Sequence, residues 1–493
     1  MDVDLIVDSC NEALKDAWKV RVQQMSNTPS FTQWLSSIHP QQLPCTIELN
    51  KYNYAYWKCG SFNACLKVTF SNGKAFMIRL PMPGKTHDRH LDEKIGAEVA
   101  AISIIRQKTD VPVPEVLAWG HASDNRLGLG PFMLVEYVEG LPLESLLLDP
   151  GISIMKAKVD KKLLRWMFRQ MIEVQLKLYS VHLNFIGSLD LLPQAKVNVG
   201  SGSPPLTFKV TGMGQLEGID GLGHRSERFG SAYEYLSYLL EQSWKQILMQ
   251  PNAARNETEA SALFRAFTVL RSRLGDFVHP TYNQGRAKLI CDDLSMKNVI
   301  LKSVDDPDFP AFAGLIDLEF TYAAPAQLAA TIPWWLLEDR PTNELWDCDD
   351  GEPQDLWERF VEHKEMYMVT LAEVVAERAQ LGHGASDREF VELAEWSWES
   401  GACWVHMILT VDGPGWASFP LIQVRKIYRG QWDAEEAAVD QAQVDEFVAA
   451  KMAGLQQYRA EADRVRAAEA EMKEGRMTLD QFTSLACLLR PQR

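Results

Sequence analysis

Two adjacent aspartates interrupt an otherwise apolar stretch, 287-AKLICDDLSMKNVILK-302, and they constrain the fold more than any other feature of the chain. Carboxylates avoid an interior unless a cation or a hydrogen-bond network compensates them. The apolar runs on either side read as strands of a buried β-hairpin, with Asp292, Asp293 and Asn298 in the polar loop at its tip. A second acidic pair follows in 314-GLIDLEF-320, where Asp317 and Glu319 close the next strand. A hairpin from Val299–Lys302 to Ala313–Ile316 brings Asn298 and Asp317 to the same end of adjacent strands. Hard oxygen donors of this kind suit Mg2+, which takes one or two carboxylates together with waters and substrate phosphates. Asp293 is then left to accept a proton from, or to orient, an attacking hydroxyl. That division of labour is what phosphoryl transfer needs, because the reaction depends mostly on positioning and charge neutralisation.

The rest of the chain divides into two kinds of pattern. In 53-NYAYWKCGSFNACLKVTFSNGKAFMIRLPMP-83, alternating positions run into the turn Ser71-Asn72-Gly73 and return from Ala75 to Leu80, which predicts a hairpin. A helix follows over 91–109, with Ile95, Val99, Ile102 and Ile105 on one face. VPVPEVLAWG is extended, and PFMLVEYVEG is a strand that ends at Gly140. Beyond Gly140 the pattern turns helical, beginning with the stripe Leu163, Leu164, Met167, Phe168, Met171 and Ile172. Residues 192–225 read as a loop, 230–249 and 257–275 as helices, and 436–474 as a charged helix with no assigned partner. At 493 residues the chain exceeds what one core supports. The expected fold is α+β and two-lobed: residues 1–137 form a small lobe of helix and antiparallel sheet, and 138–493 a large helical lobe with a C-terminal extension from about 436.

The metal and loop segments also resemble a known family. CDDLSMKN is similar to the H-x-D-x4-N catalytic loop of the aminoglycoside phosphotransferase and choline kinase group, which has a protein kinase-like fold, and GLIDLEF resembles its metal motif. The segments 314-GLIDLEFTYAAPAQLAATIPWWLL-337 and 395-EWSWESGACW-404 are similar to a fungal branch of that group. The resemblance implies Asp293 as catalytic base, with Asn298 and Asp317 binding Mg2+. It sets Arg79 where the family carries a phosphate-anchoring lysine, with Glu98 as its helix partner. It places the C=O of Glu136 and the N–H of Val138 on the adenine of ATP, and Gly60, Ser61 and Phe62 over the phosphates. Cys291 stands where the family has histidine, a packing position.

These readings converge on an ATP- and Mg2+-dependent phosphotransferase acting on a hydroxyl of a small molecule. Two alternatives remain open: a pseudokinase that binds nucleotide or metabolite without transfer, and a kinase-fold enzyme doing ATP-independent acid/base chemistry. Other motifs carry less. In 84-GKT-86 the glycine a P-loop needs five residues earlier is Arg79, TGMGQLEG has no strand before it, and His87 and His90 lack a third ligand. The tryptophans of the C-terminal half are expected to pack the helical lobe, with one or two facing the substrate. The acidic segment 338–355 reads as a solvated loop. A net charge of −16 argues against nucleic-acid and anionic-membrane partners. Eight scattered cysteines and an acid-bearing N terminus lead to the expectation of a reduced, cytoplasmic protein.

Overall fold

The computed structural model describes residues 4–147, 159–191, 202–214, 225–302, 311–338, 340–341, 346, 348, 353–382, 384–410 and 418–489. It opens with helices α1 (Leu5–Ser26) and α2 (Pro29–Ile38), followed by strands β1 (Cys45–Ile47), β2 (Lys58–Cys59), β3 (Asn63–Phe70) and β4 (Ala75–Pro81). Helix α3 (Leu91–Lys108) precedes β5 (Val116–Gly120) and β6 (Phe132–Glu136). These strands form one antiparallel sheet in the order β1-β3-β4-β6-β5, with β2 on β3. The alternation of the pleat decides which side chain goes where. Leu66, Val68, Ile78, Leu80 and Leu134 enter a core covered by Phe31, Trp34 and Leu35 of α2. Their neighbours Met133 and Val135 face the other way, into the core that contains Val99 and Ile102 of α3. Arg79 is out of phase with Ile78 and Leu80 and so leaves the first core for the side of α3.

After β6 the chain crosses to the large lobe at Gly140, whose φ is +148°. A Cβ there would lie 2.0 Å from the carbonyl oxygen of Leu301, so only glycine permits this approach. β7 (Leu141–Pro142) then pairs with β10 (Val299–Leu301), which pairs in turn with β11 (Phe312–Leu315). A second small sheet joins β8 (His182–Leu183), β9 (Ala287–Cys291) and β12 (Thr321–Ala324). Helices α4 (Lys161–Tyr179), α5 (Phe208–Gly214), α6 (Ala232–Met249), α7 (Glu257–Arg273), α8 (Ala326–Ala329), α9 (Gln354–Gln380), α10 (Ala385–Glu399), α11 (Ala402–Thr410), α12 (Phe419–Ile427) and α13 (Arg429–Ala438) make up most of the rest. The fold is α+β and two-lobed, with its sheet-rich part N-terminal, as expected from sequence.

Two details differ from the sequence reading. β9 and β10 are not partners: β9 lies against β12 and β8, β10 against β11 and β7. The polar loop therefore spans two sheets instead of capping one hairpin, and each end is held independently. The final charged helix has intramolecular partners. α14 (Gln441–Lys473) packs on α7, α1 and α15 (Leu479–Leu489). Leu455, Tyr458, Ala462 and Val465 bury there against Ile6 and Ala13 of α1. Cys10 and Cys487 meet in the same cluster, sulfur to sulfur at 2.6 Å. Of the loop expected over 192–225, residues 192–201 and 215–224 lie outside the described residues, as do the turn at 303–310 and most of the acidic segment 338–355. Among the described residues no helix is long and apolar enough to cross a membrane.

Candidate active site

The loop after β9 and the segment after β11 are strapped together at both ends. The N–H of Asp292 donates to the carbonyl of Phe320 at 3.1 Å, and the N–H of Ile316 donates to the carbonyl of Asn298 at 2.9 Å. These two bonds set Asp293 and Asn298 beside Asp317 without any hairpin between β9 and β10. Asp317 has φ +60°, an uncommon conformation for a residue with a Cβ, and strain of this kind concentrates at ligand sites. Its side chain is 33% exposed, which leaves it reachable from the cleft between the lobes.

That cleft has a volume of about 720 Å³. Gly60, Ser61, Phe62, Arg79, Glu98, Glu136, Val138, Asp293 and Asp317 all line it. Asn298 is buried just behind, where its side-chain N–H2 donates to the Asp293 carbonyl at 2.8 Å and to Asp293 Oδ2 at 3.3 Å. Phe62 packs edge-on against Phe208 and Phe320 of the large lobe, with ring centroids 5.8 and 5.1 Å apart.

The floor of the cleft is a network of buried charges. Arg79 donates to Glu98 Oε1 at 2.6 Å and to Asp317 Oδ1 at 2.7 Å. Burial opposes the charge on this guanidinium, but Glu98 and Asp317 outweigh it and hold the group well above the usual arginine range. Burial likewise raises Glu98 above the usual carboxylate range, against the pull of Arg79. Glu319 is the second anion, ion-paired with Lys94 of α3 and accepting from the Asn63 side-chain N–H2 at 2.7 Å. Its pKa is pushed up to about 7, mainly by burial. Lys94 stands one helical turn before Glu98, so one face of α3 delivers both an anion and a cation to the same place.

The loop side has its own pair. Arg340 is ion-paired with Asp293 Oδ1, and its guanidinium lies 3.6 Å from the centre of the Phe208 ring and 4.3 Å from that of Trp334. Burial nevertheless raises Asp293 above the ordinary carboxylate range, with Arg340 pulling it down and Asp317 pushing it up. Asp292 points the other way. Its carboxylate accepts from Tyr322 Oη at 3.0 Å and from the Phe208 N–H at 3.3 Å, and burial pushes it up to about 7.

Sequence reasoning passed over Lys94, Asn63, Phe208 and Arg340. The position of Lys94, four residues before Glu98 on a helix, was a usable signal. Arg340 offered none, being forty-seven residues beyond Asp293. Cys291 is buried on β9 opposite Thr321, as a packing position should be. Trp335, Trp346 and Trp404 are buried in the large lobe, and Trp334 and Trp335 line the cleft. Among the described residues no three His, Cys, Asp or Glu side chains are grouped to hold a metal ion.

No family model matches the chain. It is 32% identical over 130 residues to altered inheritance of mitochondria protein 9, mitochondrial, of Clavispora lusitaniae, a match covering 26% of this chain and 21% of that protein. It is 31% identical over 117 residues to a subtelomeric hrmA-associated cluster protein of Aspergillus fumigatus, covering 22% of each. The chain thus spans about a fifth of the length of these curated relatives. Similar solved structures are an aminoglycoside phosphotransferase with ADP and hygromycin B and a type I macrolide 2'-phosphotransferase. The first is 12% identical with a TM-score of 0.37, covering 80% of this chain and 93% of that one. The second is 11% identical with a TM-score of 0.34, covering 78% and 98%. One expectation is overturned here. Several curated relatives are named as mitochondrial proteins, which points away from the cytoplasmic location read from sequence. Charge balance and scattered cysteines report solubility and redox state, and neither specifies an address.

Proposed function

We propose that the protein transfers the terminal phosphoryl group of ATP to a hydroxyl of a small molecule. The observation that carries this reading is the meeting, in one cleft, of the Asp293–Asn298 loop, Asp317, and the Arg79–Glu98 pair. The donor chemistry fits Mg2+: Asp317 is a reachable carboxylate, Asn298 a neighbouring carboxamide, and this ion fills its remaining positions with waters and phosphate oxygens. When bound, the ion would offset negative charge on the phosphates. Arg79 would anchor phosphate oxygens from the β4 side, held in place by Glu98. Gly60, Ser61 and Phe62 would cover the phosphates, and the Glu136–Val138 backbone would hold the adenine at the crossover.

Asp293 would accept the acceptor hydroxyl's proton while the new O–P bond forms and the bond to the ADP oxygen breaks. A carboxylate raised above its ordinary range by burial is a stronger base than a solvated one, which suits that role.

One observation favours a second reading, a nucleotide-binding protein without transfer: both oxygens of Asp293 are engaged, one by Arg340 and one by Asn298. ATP consumption over a panel of small alcohols, measured beside thermal stabilisation by Mg-ATP, separates the two. Turnover on any acceptor supports transfer. Stabilisation with no turnover on the whole panel sinks it.

A further inference from the structure

Helix α1 is fastened to the segments around the N-terminal sheet. Its Trp18 Nε1–H donates to the Leu129 carbonyl at 3.3 Å, and Glu12 is ion-paired with Lys85 at 2.5 Å. A Cβ on Gly84 would lie 2.5 Å from the Asn11 carbonyl oxygen, so α1 also rests on the turn that leads to α3. Helix α14 is fastened to the large lobe instead: it packs on α7, and Lys451 Nζ donates to the carbonyls of Leu248 and Gln250, both at 2.8 Å. The two halves meet where α1 packs on α14 and α15. Ile6, Cys10 and Ala13 fall at positions i, i+4 and i+7 and form one buried face of α1. Phe482 and Ala486 bury from α15, and Cys487, the residue after Ala486, stands exposed at the rim of the same cluster. A buried cysteine such as Cys10 is ordinarily a small apolar filler. An exposed one whose sulfur touches a second sulfur, 477 residues away in sequence, is not explained by packing.

We propose that Cys10 and Cys487 form a reversible disulfide site, closed by a low-molecular-weight disulfide and opened by the matching thiol. Cys487 is the point of entry because solvent reaches it. Its thiolate attacks one sulfur of the small disulfide, forming a mixed disulfide and expelling one small thiolate, which takes up the proton that Cys487 gave to solvent. The Cys10 thiolate then attacks the Cys487 sulfur, the mixed disulfide breaks, and the second small thiolate leaves and is protonated in turn. Two protein thiols are thereby oxidised to one disulfide, and one small disulfide is reduced to two thiols. Contact between the two cysteines makes the second step intramolecular, so it outruns attack by another small thiol. Once closed, the bond is a covalent clasp between α1 and α15. It removes freedom from every state in which these helices separate, and it ties the segments around the N-terminal sheet to the helices of the large lobe.

The test equilibrates the full chain with glutathione disulfide in excess over glutathione, then alkylates, digests without reduction and maps the peptides by mass spectrometry. The main oxidised product is expected to be a peptide pair joined through Cys10 and Cys487, lost again on treatment with dithiothreitol. In C10A the second step has no nucleophile, so Cys487 should accumulate as its glutathione mixed disulfide. The clasp is read by hydrogen exchange of the peptides covering α1 and α15, which should slow at least about tenfold on oxidation of the wild type. In C487S, which alters an exposed position and leaves the apolar face of α1 intact, oxidation should change that exchange by less than about twofold. Both thiols still alkylated at the oxidising ratio would overturn the proposal. So would Cys487 of the wild type carrying glutathione with Cys10 free, or either cysteine joined chiefly to another. A Cys10–Cys487 bond that leaves exchange unchanged, or slowing that persists in C487S, would overturn the clasp.

Discussion

The two faces of the cleft solve the same electrostatic problem with different materials. On the side of β4 and α3, Arg79 and Lys94 are interleaved with Glu98, Asp317 and Glu319, so every one of these charges touches an opposite charge from another segment. On the loop side, Asp293 is paired with Arg340, and the rings of Phe208 and Trp334 lie against that cation. The first arrangement is a multiply connected network, stiff because no member can move without stranding another. The second sets one ion pair against two aromatic rings. The difference suits the proposed chemistry, in which phosphates require a fixed frame and a base must change partners during the reaction.

Cutting the network should therefore cost stability, and the largest effect is expected there. Glu98→Ala leaves the Arg79 guanidinium with one partner fewer and is expected to cost about 3–5 kcal/mol, read as a shift in urea midpoint. A loss below about 1 kcal/mol would mean the network is no stiffer than a surface ion pair.

Asp293→Ala probes the other face. It should lower turnover at least about a hundredfold, or about 2.7 kcal/mol in barrier, with little change in nucleotide affinity. Near-wild-type turnover would remove Asp293 from the mechanism and with it the contrast.

Proton linkage gives a subtler comparison. Asp292 is pushed up to about 7 by burial, against 3.8 for an exposed aspartate. The folded state therefore holds a proton that the unfolded state releases, and stability from this group is fully present below pH 3.8 and is lost as pH rises through about 7. Asp292→Asn should flatten the fall in urea midpoint across that window. An unchanged slope would assign the dependence to Glu319, the other carboxylate held near 7.

The smallest expected effect is that of Phe208→Leu, which removes one aromatic face from Arg340 and should cost about 0.5–1 kcal/mol. No change in the urea midpoint would show that the remaining contacts of Arg340 hold the guanidinium without Phe208.

Legibility followed the range of the interaction. Arg79 and Glu98 were singled out through the family resemblance, and each lies on a predicted strand or helix whose repeat is a property of local sequence. Lys94 lay within the same periodicity and was missed because a lysine one turn from a glutamate also describes any solvated helix face. Asp293, Asn298 and Asp317 were readable as a motif, and the β10–β11 pairing expected to bring Asn298 to Asp317 is present. The apolar runs on either side of the loop were read as one hairpin, whereas β9 and β10 belong to different sheets, and the bond from the Asp292 N–H to the Phe320 carbonyl ties in the β9 end.

Residue order alone settled the period of each element and therefore the face on which its charged groups lie, since pleat and helix repeat are properties of a single segment. Partnership was a different matter. That Arg340 rests on Asp293, and that α14 closes over α1, depends on folding distant segments into contact. Burial then sets the strength of those charges, because it is created only when the segments meet.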